Sequence, residues 1–108
     1  MTEGWRSSLA AIAARIGEER AAYGIRHGSM RVGLYAPSGV DDQTPHKQDE
    51  LYIVASGTGS FVKNGERVPV RPNDVLFVEA HADHRFEDLS DYFSTWVIFW
   101  GPDGGEAD

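Results

Sequence analysis

The sequence predicts an all-β fold, a sandwich or barrel of short strands with one short α-helix in front of it. From Met30 onward, apolar residues recur at every second position in short runs, the period of a half-buried strand. Clusters of Gly, Pro, Asn and Asp separate these runs, as tight connections between antiparallel strands require. Only the segment before Tyr23 carries a helical period, so a parallel α/β sheet, which alternates strands with helices, does not fit. At 108 residues one domain is expected. The reading divides it into helix and connector over 1–28, barrel over 29–102 and a polar, frayed tail over 103–108.

The elements follow in order. Trp5, Leu9, Ile12 and Ile16 recur at steps of four, three and four, which stacks them on one face of a helix running from Trp5 to about Tyr23. Gly24 and Gly28 end it, since both tolerate the left-handed backbone of a helix stop. The strands then read Met30–Ala36, Glu50–Ser56, Ser60–Lys63, Arg67–Arg71, Val75–Val78, a run opening near His84, and Phe93–Trp100. Asn64-Gly65 is a two-residue hairpin turn, because both positions accept positive φ. Phe93–Trp100 is almost continuously apolar, as in a strand buried on both faces.

Composition then bounds the function. With 10 Lys+Arg against 17 Asp+Glu, the formal net charge is −7, which speaks against nucleic acid and anionic membranes as partners. No run approaches the roughly 20 apolar residues of a membrane span. A signal peptide is set aside because the apolar run Leu9–Ala14 is short and Glu3 precedes it. No cysteine is present, so disulfides, thiolate metal sites and Cys nucleophiles drop out. An acidic cytoplasmic domain is expected, and any metal site in it must be built from His and carboxylate.

Two segments carry such residues. His46, Gln48, Glu50 and Tyr52 share parity, so an extended chain would send all four to one side. Glu50 opens an apolar strand. Either it points inward, where its charge needs a cation or several donors, or it points outward to Lys47 or an arginine. His84 opens a strand directly after a polar loop, at what would be the mouth of a barrel. Two His and one Glu at separate strand starts match the donor set that holds Fe(II) and similar ions.

Across roughly Val32 to Phe99 the sequence resembles the cupin superfamily, on two motifs. The first runs His-X-His, three or four residues, Glu, six residues, Gly. Counting back from Gly57 puts Glu50 on the Glu and His46 on the second His, with Thr44 in place of the first. A shifted reading makes His46 the first ligand and Gln48 the second. The second motif, anchored on His84, places Asn73, Glu79, His81 and Asp88 where the family has Gly, Pro, Gly and Asn. The resemblance implies a double-stranded β-helix, or jelly-roll, barrel, and dimers formed through its sheets or through the helix.

The expected centre is His46, Glu50 and His84 around one divalent ion, with Fe, Mn, Ni, Co and Zn all compatible. Gln48, Gln43 and Thr44 are candidates for a further ligand or for a group that orients one. Tyr52, Phe86 and Trp96 are expected to line the pocket, and His81 and Glu79 are candidate acid–base groups. The leading functional expectation is a metal-dependent enzyme, an oxygenase or an isomerase or lyase, acting on a small organic molecule. The alternatives are a non-catalytic binding or sensor module and a metal-free barrel with a decayed site.

Overall fold

The computed structural model of the protein describes residues 4–39, 41 and 43–107. Its elements are α1 (Leu9–Ala13), β1 (Ala21–His27), β2 (Met30–Tyr35), β3 (Asp49–Ser56), β4 (Gly59–Lys63), β5 (Glu66–Val70), β6 (Val75–Val78), β7 (His84–Glu87) and β8 (Ser94–Trp100). They build two antiparallel sheets, one ordered β1-β2-β8-β3-β6 and the other β5-β4-β7. Between the sheets lies a core that includes Tyr52, Val54, Phe61, Val70, Val78, Phe86, Phe93, Val97 and Phe99. Val97 and Phe99 therefore face inward, and Trp96, Ile98 and Trp100 form the outer side of β8.

The predicted long helix shrinks to the five residues of α1, and the segment after it is a strand. Ile12 alone of the expected stripe is buried, whereas Trp5 is 74% and Leu9 38% exposed. A short helix with so little apolar contact gains little in water. The open edge of β2 offers residues 21–27 a full ladder of backbone hydrogen bonds instead, with Ala21 opposite Tyr35 through His27 opposite Met30. Gly24 thus sits inside β1, at a register shift between Tyr23 and Ile25. Gly28, with φ 55°, opens the two-residue turn into β2.

Turn chemistry fixes the other connections. Asn64 and Gly65 have φ of 50° and 86°, and the flanking Lys63 and Glu66 pair directly. Gly57 has φ 77°, and a Cβ there would lie 2.7 Å from Phe93 Cα, so backbone approach and conformation both demand glycine. The tail is tied down instead of fraying: Gly104 N donates to the Lys47 carbonyl at 2.7 Å and Glu106 N to Asp49 Oδ2 at 2.8 Å. Asp108 lies outside the described residues.

Candidate metal centre

Two strand starts and a loop converge at one end of the space between the sheets. Glu50 is the second residue of β3, His84 opens β7, and His46 stands in the loop four residues before Glu50. One ligand atom from each lies within 4.8 Å of the other two. Glu50 is 1% and His84 2% exposed, while His46 is half-buried. The rings of His46 and His84 are 5.3 Å apart, and Phe99 packs edge-on against His46 at 5.0 Å.

The hydrogen bonds decide which nitrogen faces inward. His84 Nδ1 lies 2.9 Å from the Ala82 carbonyl, which can only accept, so Nδ1 bears the hydrogen. Nε2 then turns toward Glu50 Oε1 at 3.3 Å. Both atoms are buried and neither has a hydrogen-bond partner. In neutral imidazole this sets a lone pair against a carboxylate, an arrangement that a proton or a cation relieves. Burial alone would lower the pKa of His84, but Glu50 and the Ala82 carbonyl outweigh it and the net shift is upward. At His46 burial outweighs the pull of Glu50 and the pKa is lowered.

Behind His46 stands a network that the sequence did not reveal. Asp41 is buried and accepts from Tyr35 Oη at 2.5 Å, from Gln43 Nε2 at 2.8 Å and from the Phe86 amide at 2.8 Å. Because Asp41 engages the nitrogen of the Gln43 amide, Gln43 Oε1 must point into the site. There it lies 3.1 Å from His46 Nε2 and accepts from Tyr52 Oη, also at 3.1 Å. Burial, followed by the charge of Glu50, pushes the Tyr52 pKa well above its ordinary value, so the hydroxyl stays a neutral donor. A cleft of about 260 Å³ opens beside these groups, lined by Glu19, Ala21, Tyr23, Tyr35, Gln43, His46, Glu50 and Tyr52 with Val97 and Phe99. A larger groove of about 760 Å³ between α1 and residues 89–94 holds none of the three donors.

Other expected site residues lie elsewhere. Gln48 is not beside the donors, because the chain bends at 47–48 before β3 begins and alternation is lost. It reaches the Gly101 carbonyl at 2.9 Å and the Ser29 carbonyl at 3.4 Å instead. Trp96 lies on the outer side of β8 and does not line the cleft, while Phe86 packs behind Tyr52 at 5.0 Å as core. Thr44 is exposed and makes no hydrogen bond among the described residues. Glu79 is exposed and pairs with Lys63 at 2.6 Å, a contact that holds its carboxyl below the usual range. The His81 side chain is exposed, but its backbone amide donates to the His46 carbonyl at 2.7 Å and so steadies the ligand loop.

Comparison with known proteins places this geometry in a family. The family model described as a cupin domain matches residues 31–98. An uncharacterized protein of Streptomyces coelicolor is 36% identical over 81 residues, covering 73% of this chain and 77% of its own length. The HTH-type transcriptional activator RhaS of Yersinia pestis is 37% identical over 68 residues, covering 63% of this chain but only 25% of that protein. Among solved structures, a cupin superfamily protein from Desulfitobacterium hafniense superposes with a TM-score of 0.64 at 18% identity, covering 76% of each chain. No described helix is long and apolar enough to cross a membrane. Two facing antiparallel sheets, a His–His–Glu trio that could hold a metal ion, and the matched model over most of the chain lead to one conclusion: this protein belongs to the cupin family.

Proposed function

We propose that this chain is a divalent-metal-dependent cupin enzyme that takes a small organic molecule into the cleft beside His46, Glu50 and His84. The observation that carries the reading is the buried pair Glu50 Oε1 and His84 Nε2, 3.3 Å apart and without hydrogen-bond partners. Glu50 and His84 would hold a cation there, with His46 as the third donor, and its charge would relieve the conflict. These donor types suit Fe, Mn, Ni, Co or Zn. A bound ion would supply Lewis-acid polarisation of a substrate oxygen.

The chain's own residues do the remaining work. Asp41 sets the Gln43 amide, and Gln43 in turn orients His46 and Tyr52. Tyr52 keeps its proton at the wall of the cleft beside Gln43 and Glu50. Val97 and Phe99 give the cleft an apolar wall. Oxygenation, and isomerisation or lyase chemistry, are the reaction classes this arrangement suits. Metal analysis of untagged protein purified without chelator is expected to find one ion per chain, lost in His84→Ala. Substoichiometric metal unchanged by that substitution would sink the reading.

A second reading, a non-catalytic module that binds a small ligand for a sensory output, draws on the likeness to RhaS. It predicts a ligand bound and returned unchanged, whereas the enzyme reading predicts its consumption. In both readings the chain pairs with a second copy in the cytoplasm. The contact surface is the outer face of the larger sheet, where Val32, Leu51, Ile53, Val75, Phe77, Trp96 and Ile98 form an uncharged layer.

A further inference from the structure

Next to the cleft stands a cationic cluster that the metal site does not use. Arg26 and Arg31 are directly opposite each other across β1 and β2, a placement of like charges that opposes strand pairing. Neither guanidinium has an ion-pair partner among the described residues, although the chain has 17 acids for 10 basic residues. Both lie against the ring of Tyr23, with guanidinium carbons 5.4 Å and 5.2 Å from its centre.

The backbone is shaped to bring them there. Tyr23 and Arg26 are three residues apart and would point to opposite faces of a regular strand. The register shift between Tyr23 and Ile25 cancels one step, so both face the same side as Arg31. Gly33 completes the platform: a Cβ there would lie 2.6 Å from Tyr23 Cδ1, so only glycine lets the ring lie over β2. Arg31 is held by Gln48, whose Oε1 accepts from Nη2 at 3.3 Å while Nε2 is committed to the Gly101 carbonyl. The guanidinium of Arg31 also covers the Phe99 ring at 4.6 Å, the ring against which His46 packs. One aromatic side chain thus separates the cationic cluster from the metal donors, and Tyr23 and Phe99 both line the cleft.

We propose that Tyr23, Arg26 and Arg31 form an oxyanion subsite at the mouth of the cleft, binding the carboxylate or phosphate of a small molecule whose other end enters toward His46 and Glu50. The position of that other end rests on the metal reading; the oxyanion subsite does not. Arginine forks match both oxyanions, and the two guanidiniums lose their mutual repulsion when one is bound.

The test is calorimetric titration of the folded chain with inorganic phosphate and with malonate at low ionic strength, in metal-loaded and chelator-treated forms. Saturable binding of at least one anion is expected in both forms, identifying the preferred oxyanion. Arg31→Met and Arg26→Met should each weaken it about tenfold while leaving metal content unchanged. Arg26 is exposed, so its variant serves if Arg31→Met fails to fold. Binding confined to the metal-loaded form and indifferent to both substitutions would put the anion on the ion alone and overturn the subsite, with the metal reading intact. Arginine-dependent binding by a chain that takes up no metal would uphold the subsite and end the metal reading. Binding of neither anion overturns the subsite.

Discussion

Glu50 and His84 give the centre its dependence on acidity. In the metal-free chain the raised pKa of His84 means that its contribution to stability is fully present below the ordinary histidine value of 6.5 and is lost as pH rises through the folded-state value. His46 works in the other direction. Its lowered pKa lets the unfolded chain bind the proton first, so its contribution is lost as pH falls below 6.5 through the folded-state value. A bound ion competes with protons for both imidazoles, so stabilisation by metal grows with pH. Urea melts of the parent chain and of His84→Asn are therefore expected to diverge with pH. Without metal, the parent's advantage shrinks as pH rises above 6.5; with metal it widens. Equal trends in the two forms would count against an ion at His84. The donors themselves were readable in sequence, since a Glu opening an apolar strand and a His opening another are chemically conspicuous. Asp41 was not, because its importance comes from the Phe86 amide 45 residues away.

Local geometry explains which elements the sequence disclosed. The Asn64-Gly65 turn and Val75–Val78 are found as read, because turn chemistry and strand period speak locally. β1 was hidden by its own irregularity. The register shift at Gly24 breaks the two-residue period, leaving the helical spacing of Leu9, Ile12 and Ile16 as the only regular signal before Met30. Parity puts Trp96 and Val97 on opposite sides of β8, but alternation does not say which side faces the core. The same shift makes β1 sensitive to its neighbour. Gly33→Ala would press a methyl group against the Ala22 carbonyl and the Tyr23 ring, both 2.6 Å away. It is expected to destabilise the fold by about 1–3 kcal/mol, read as a lower urea midpoint. A midpoint unchanged by this substitution would contradict the close seating of Tyr23.

Across the whole molecule, charge and apolar surface are segregated. The larger sheet has a largely apolar outer face on which Val75 and Phe77 remain 59% and 49% exposed, in a chain carrying −7 overall. The acid on that face, Asp49, is buried under the amides of Ala80 and Glu106, and Lys63 lies at the Phe77 edge. Such a face suits self-association, since two identical layers bury apolar area on both copies. Sedimentation velocity is expected to give twice the mass of one chain, and Ile98→Glu to give a monomer with its strand content retained. A parent chain sedimenting as a monomer at every concentration would refute the pairing. The loop that carries His46 has a different kind of dependence. His46 is held by the amide of His81, Lys47 by that of Gly104, and Asp49 accepts from Ala80 N and Glu106 N. During synthesis, His46 and Glu50 leave the ribosome well before any of these partners exist. The nascent chain carries two of the three donors without the backbone that positions them. His46, Glu50 and His84 could therefore close on an ion only after the chain through Glu106 has been made and folded, so any loading would follow synthesis.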